Sequence, residues 1–416
     1  MRTERLRAGD DVRALLPAPE DYAEPVREIV AAVREGGDAA VRDFTARFDR
    51  AGIAPEELAV PPREVEAALG TVAPEVIAAM RSSIANVKAV AQAQIREGVA
   101  VDLDQGQRVE IGEVPVRRAA AYVPGGRAPY PSTLIMCAVT ARAAGVGELT
   151  VCAPPGPDGR AHPLILAACT LCGVTEVYRM GGAQAIAALA YGTESVRAVD
   201  VIAGPGSAWV QEAKRQVSGV VGIDGIRGPS ELVVVASAGA DPDLLVLDLL
   251  AQAEHGPDSL VVAISEDNGI LDAIGEAAAR LAPDRPSVTD APLVLVEAPS
   301  TRAALAAAEE IAPEHLQLAG EEAESLAGSV TRAGCVFTGR DGATAFGDYV
   351  AGSNHVLPTG GAARFESALS PAAFRRRIAR VTFPAGAAAA LAPAGAALAR
   401  AEGFPVHGES MERRAT

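Results

Sequence analysis

Residues 311–320 read IAPEHLQLAG and set a carboxylate, Glu314, directly beside an imidazole, His315, one residue after a proline. Such a pair can trade protons near neutral pH, because an imidazole ordinarily titrates at about 6.5. The chain has only five histidines, so the position of each carries weight. His162 lies in the polar turn PDGRAHP and reads as a solvated loop residue. Gln252 and His255 are three residues apart in LLAQAEHGPDS, on one face of a helix that Gly256-Pro257 would end. Asp348 and His355 flank a glycine-containing turn in GDYVAGSNHVLPTGG, and His407 stands in EGFPVHGES. Imidazole and carboxylate donors suit zinc with one position left open, but the spacings are long, and any one histidine is more often structural.

Pro313 disfavours a helical Ala312, so a helix should end there. If His315 opens the following strand, its side chain and that of Glu314 point to opposite faces unless the chain bends. The pair is therefore either a turn with two solvated polar groups or an acid–base couple held on a bent loop.

The elements that must position these residues follow from periodicity. The first 120 residues read mainly as helices, the longest broken once at Gly36-Gly37. From AAAYVPGGRAPYPST onward, short aliphatic strands (ELTVCAPP, TEVYRMG, VDVIAGPG) alternate with helical stretches. A second series follows, with strands ELVVVASA, SLVVAISE, LVLVEAP, LQLAG and GCVFTG. This alternation predicts an α/β fold: two successive Rossmann-like parallel-sheet units, in the pattern of a pseudo-duplication, with helical N- and C-terminal extensions. The last stretch, after about Ser370, returns to a helical pattern and includes AAFRRRIARVTF. Ligands gather at the carboxyl ends of strands in such sheets. Three glycine-rich loops fall there, at 124–132, 181–186 and 204–209. None matches GxGxxG or the P-loop, yet together they suit an anionic ligand such as a nucleotide.

At 416 residues the chain exceeds what one core usually serves, so two or more domains are expected. A net charge of −16 argues against sequence-independent binding to nucleic acid or anionic membranes, which needs a basic face. The N-terminus lacks the apolar stretch of a signal peptide, and no run of about 18 apolar residues suggests a membrane span. A cytoplasmic location is expected. Cysteines 137, 152, 169, 172 and 335 are then reduced thiols, and the CxxC formed by Cys169 and Cys172 lies in an apolar helix as core packing.

The blocks AYVPGGRAPYPS, GGAQAIAALAYGTESV, LLAQAEHGPDS, APEHL and GDYVAGSNHVLPTGGAARF together resemble the L-histidinol dehydrogenase family, and the likeness runs nearly end to end. The family consists of zinc-dependent, NAD-linked enzymes of histidine biosynthesis. They oxidise an amino alcohol to the aldehyde and then to the acid at one site, using two NAD+ and one water. The resemblance implies one zinc per subunit, held by Gln252, His255, Asp348 and His407, with His315 and Glu314 as the catalytic pair. His315 would take the alcohol proton and Glu314 would activate water. Ser230, His355 and Glu402 match substrate contacts, and Tyr122, Gln184 and Ser207 match NAD contacts. It also implies an intertwined homodimer in which His407 and Glu402 come from the partner subunit.

The domain division so implied is an extension at 1–18, a larger α/β domain at 19–121 and 230–369, and a smaller NAD-binding domain at 122–229. Residues 370–416 would be a tail reaching the partner. Two departures stand out: the family usually has Asn at Ser207 and a small residue at Arg227. The second puts a cation three residues before Ser230, which suits an anionic substrate, and relatives that oxidise sulfonated diols share the zinc and catalytic residues. An alternative expectation is therefore such a relative, acting on another small alcohol.

Overall fold

The strands form where β-branched and aliphatic residues run unbroken between Gly/Pro turns, and helices with one apolar face join them. The structure is a computed structural model and describes residues 2–7, 9–16, 21–49, 57–125, 128–384 and 386–415. Gly126 and Arg127 of the first glycine-rich loop, and the expected boundary between residues 18 and 19, lie outside the described residues. The chain divides into two compact units, Met1–Gln94 with Arg117–Phe374 and Ile95–Val116 with Arg375–Thr416.

In the order of the chain, the strands begin with β1 (Thr3–Arg7), β2 (Val99–Asp102) and β3 (Arg108–Pro115). There follow β4 (Arg118–Tyr122), β5 (Glu148–Ala153), β6 (Glu176–Arg179), β7 (Val201–Ala203) and β8 (Gly222–Ile223). The next five are β9 (Glu231–Ala236), β10 (Leu260–Ser265), β11 (Leu293–Glu297), β12 (His315–Ala319) and β13 (Cys335–Thr338), and β14 (Arg375–Thr382) is last.

The first unit holds two parallel sheets. One is ordered β6-β5-β4-β7-β8, the other β1-β11-β10-β9-β12-β13. Setting β1 aside, both orders are third-second-first-fourth-fifth in chain sequence, so the pseudo-duplication is visible in the topology. Each sheet has a switch point, between β4 and β7 in one and between β9 and β12 in the other, where successive connections leave in opposite directions. The strands β4 and β9–β12 are buried almost throughout, as parallel strands covered on both faces must be.

The helix Ala23–Phe48 packs its apolar face on the helix Gly182–Tyr191 beside the five-stranded sheet. It kinks at Gly37, which takes φ 54°, ψ −137°. A Cβ there would meet the Glu194 carboxylate at 2.2 Å, and the same carboxylate accepts from the Asp38 N–H at 2.8 Å, so only glycine permits this join. Cys169 is buried in the helix Pro163–Leu171, Cys172 caps that helix, and all five thiols are free. His162 is exposed, but it also caps this helix, its Nδ1 accepting from the Leu164 N–H at 3.2 Å.

The second unit corrects two readings. The segment Arg375–Thr382, expected to be helical, is a strand, and β2 and β3 lie in a region read as mainly helical. They form an antiparallel sheet ordered β14-β3-β2. The helices Ala387–Ala401 and Pro405–Glu412 follow and pack on each other. At the other end of the chain, β1 was also unforeseen; it adds a parallel edge strand to the six-stranded sheet beside β11.

Candidate active site

The helix Thr301–Ile311 stops one residue short of Pro313, as the proline requires. Ala312 takes φ 51°, ψ 62° and is the one non-glycine residue with positive φ among the described residues. A left-handed alanine costs about 1–2 kcal/mol, and here it turns the chain from the helix into Pro313 and β12. His315 then opens β12. Both side chains are buried, and Glu314 Oε2 stands 3.5 Å from His315 Nδ1.

The partners of the pair fix the tautomer of the imidazole and occupy one carboxylate oxygen. His315 Nδ1 lies 3.0 Å from the carbonyl oxygen of Glu231, which can only accept, so Nδ1 carries the hydrogen and Nε2 keeps its lone pair. Glu314 Oε2 accepts from Ser230 Oγ at 2.6 Å and from the Glu231 N–H at 2.9 Å. Those two donors occupy Oε2 and leave Oε1 to serve a further partner.

The metal-type residues gather on the same edge of the same sheet. Gln252 ends the helix Pro242–Ala253, and His255 follows it before β10. Asp348 lies in the short helix Ala345–Tyr349, which the helix Pro74–Ala93 steadies: Ser83 Oγ donates to Tyr349 O at 2.6 Å and Asn86 Nδ2 to Val350 O at 2.8 Å. His255 Nε2 and Asp348 Oδ2 are 3.9 Å apart. Two donors about 2.1 Å from one tetrahedral ion would stand about 3.4 Å apart, so a small closing movement suits these two to zinc. Gln252 is buried, and its side-chain Nε2 has no hydrogen-bond partner. Among the described residues no group of three or more His, Cys, Asp and Glu is assembled as a metal site. His407 and Glu402 belong to the second unit, where both are exposed.

His355 donates from Nδ1 to Asp348 O at 2.8 Å, so its Nε2 accepts from Thr133 Oγ1 at 3.1 Å. Removal from water lowers its pKa. Asn354 Nδ2 donates to Met136 O and Thr140 Oγ1, both at 3.1 Å. Thr133, Met136 and Thr140 all lie on the helix Pro131–Ala143, which follows β4. These bonds bring the amino edge of the six-stranded sheet to the carboxyl edge of the five-stranded one.

The expected cofactor residues lie on that carboxyl edge, around the β4/β7 switch point. Tyr122 ends β4 and is buried, its hydroxyl accepting from the Gly182 N–H at 3.1 Å. Gln184 lies in the helix after β6, buried, with an unpaired Nε2. Ser207 is exposed at the start of the helix Ala208–Val217, and its side chain makes no capping bond. Gly204 has φ 125°, and a Cβ there would come within 2.1 Å of Tyr122 O, so the loop can lie this close to β4 only as glycine. Lys214 and Asp224, fully buried as an ion pair, clamp it: Lys214 Nζ donates to Gly204 O at 2.9 Å, and Asp224 Oδ2 accepts from the Gly204 N–H at 2.9 Å. The fit to a dinucleotide is good, with glycine-lined helix starts, an orphaned amide and an exposed hydroxyl at one switch point.

A family comparison decides the kinship. The histidinol dehydrogenase family's sequence pattern matches residues 17–415. The chain belongs to the histidinol dehydrogenase family. It is 43% identical over 403 residues to a histidinol dehydrogenase of Parasynechococcus marenigrum (strain WH8102), spanning 95% of this chain and 91% of that one. With that of Xanthomonas euvesicatoria pv. vesicatoria (strain 85-10) it shares 42% over 400 residues, covering 94% and 92%. The crystal structure of histidinol dehydrogenase from Elizabethkingia anophelis superposes with a TM-score of 0.92 at 30% identity, covering all of this chain and 98% of that one.

Two points go beyond the sequence reading of this family member. Arg227 does not offer a free cation. It is buried, with Nη1 donating to Glu366 Oε2 at 3.0 Å and Nη2 to Asp224 O at 2.5 Å and Ser367 O at 3.2 Å. Its charge is spent on a structural clamp. Glu231, by contrast, is a buried site residue that motif and spacing do not single out, and its one signal in the sequence is a carboxylate heading the otherwise apolar run ELVVVA.

Proposed function

We propose that this chain oxidises L-histidinol to L-histidine by way of L-histidinaldehyde, with zinc and two NAD+, as the last steps of histidine biosynthesis. The observation that carries this reading is the pinned imidazole: Nδ1–H is committed to the Glu231 carbonyl, so the basic Nε2 is the atom left for substrate. An alcohol releases hydride readily only as its proton leaves, and Nε2 of His315 takes that proton. The imidazolium so formed is stabilised by the Glu314 carboxylate 3.5 Å from Nδ1.

The second oxidation needs water added to the aldehyde. Glu314, steadied at Oε2 by Ser230 and the Glu231 N–H, presents Oε1 as the base for that water. Zinc, when bound by Gln252, His255, Asp348 and the partner's His407, supplies a fixed cation for the substrate's nitrogens, and NAD+ bound near Tyr122, Gln184 and Ser207 supplies the hydride acceptor. Ser230, His355 and the partner's Glu402 orient the substrate, and holding a reactive aldehyde between steps keeps it from solvent.

This reading assigns cofactor binding to 122–229 and catalysis to 19–121 with 230–369, and makes 370–416 the segment that reaches a second subunit. Exposed Leu398, Phe404 and Val406, close in sequence to Glu402 and His407, support an intertwined homodimer. No helix among the described residues is long and apolar enough to cross a membrane. The five free thiols support a cytoplasmic enzyme. The buried clamp on Arg227 removes the feature that favoured a sulfonated substrate. The zinc-loaded protein is expected to form two NADH per L-histidinol and to lose turnover with a chelator. No NADH from histidinol, with NADH from a sulfonated diol, would overturn the reading.

A further inference from the structure

We infer that Glu231 is a positioning residue for the water-activating step: it holds Glu314, whose N–H has no strand partner, in register with His315. The inference rests on the function proposed above. Residue 231 makes four hydrogen bonds around the pair. Its N–H donates to Glu314 Oε2 at 2.9 Å, and its carbonyl accepts from His315 Nδ1 at 3.0 Å. Its Oε2 accepts from the Glu314 N–H at 3.0 Å, and its Oε1 from the Gly360 N–H at 2.7 Å.

The backbone of Glu231 reaches both side chains of the pair, whereas its carboxylate holds only the Glu314 main chain and Gly360. His315 is already fixed by strand pairing, since it lies in β12 opposite Leu232 of β9 and Cys335 of β13. Glu314 precedes the strand and follows the left-handed Ala312 and Pro313, so no ladder secures its amide. The Glu231 carboxylate replaces the missing ladder bond. Through Gly360 it also ties the pair to the segment that carries His355. A carboxyl group 1% exposed at the head of an apolar strand is a costly choice, and burial pushes it up to about 8. A buried acid with both oxygens satisfied by backbone N–H groups on two separate segments suits a clamp.

The test is Glu231→Gln in the zinc-loaded full-length protein. The amide offers one acceptor oxygen to two backbone donors, so one N–H must face an NH2 group. Single-turnover stopped-flow with L-histidinol and excess NAD+ resolves the two NADH phases. The first phase is expected within about 3-fold of wild type and the second slowed by at least 10-fold, with KM for histidinol and zinc content unchanged. Equal slowing of both phases, or slowing accompanied by zinc loss, would reduce Glu231 to general structural support and overturn the inference. So would two unchanged phases. Should the glutamine variant not fold, Glu231→Asp keeps the carboxyl group but cannot span both amides, and the same outcomes decide. Wild-type protein run alongside separates the two ideas, because absence of both phases there sinks the proposed function itself, whatever the variant does.

Discussion

The two parallel sheets share one strand order, yet they present their polar residues at opposite edges. Around β4 and β7 the cofactor-type residues stand at the carboxyl ends of the strands, where helices begin. Around β9 and β12 the pair Glu314–His315, Ser230 and His255 stand at the amino ends, where helices finish. Helix starts carry partial positive charge and helix ends partial negative charge. A pyrophosphate is thus favoured at the first edge. A metal ion and a transient imidazolium are favoured at the second, beside the ends of the helices Pro242–Ala253 and Thr301–Ile311. One duplicated fold, used from both ends, gives an anion edge and a cation edge, and the bond from Thr133 to His355 holds them face to face.

If the edges divide labour in this way, damage at one should leave the other's ligand in place. The largest effect is expected for His315→Asn at the cation edge. Turnover should fall by roughly 10²–10⁴-fold while NAD+ affinity, by calorimetry, stays within error. Loss of NAD+ binding in that variant would break the division. Chelation of zinc should likewise abolish turnover and spare NAD+ binding.

The reverse experiment targets the anion edge. Lys214→Met leaves Asp224 buried without its partner, and such a break costs about 3–5 kcal/mol. Thermal melts should show that loss. Because the pair clamps Gly204, KM for NAD+ should rise while the zinc content of the folded fraction stays normal. A variant equally stable, or one that loses zinc instead, would contradict the assignment.

A smaller effect separates the edges by pH. The Glu231 pKa is raised to about 8, by burial first and by the nearby Glu314 carboxylate, against an ordinary value of about 4.3. Between those values the folded protein binds more protons than the unfolded chain, so stability falls as pH rises through the window from about 4.3 to about 8. Glu231→Gln should flatten that slope in melting curves, whereas Lys214→Met should leave it in place. A wild-type stability that rises across the window would refute this account.

How far the sequence foretold this arrangement depends on the range of the interactions. Alternating aliphatic strands and helices are local patterns, and they foretold both sheets and the helix stop before Pro313. Strand β14 was misread because RRRIARVT lacks a clean two-residue alternation and its arginines favour helix. Its partner β3 lies some 260 residues earlier, so no local signal reports the pairing. The role of Arg227 was also hidden, since its partner Glu366 is distant in the chain. The choice of edge was illegible for the same reason. Strand neighbours decide whether a loop before β12 and a loop before β9 meet, and that order is a property of the sheet.

The finest test of the comparison is Ser207→Asn, which restores the residue usual in the family at the anion edge. Serine and asparagine cap helices about equally well, and Ser207 makes no capping bond, so stability should change by only a few tenths of a kcal/mol. The side chain is exposed beside the Gly204 loop, where an added amide can donate to a cofactor oxygen. One neutral hydrogen bond of about 0.5–1.5 kcal/mol corresponds to a fall in KM for NAD+ of about 2- to 10-fold, with KM for histidinol unchanged. If the histidinol KM moved and the NAD+ KM did not, Ser207 would belong to the substrate's edge, and the division by helix ends would lose its most exposed contact.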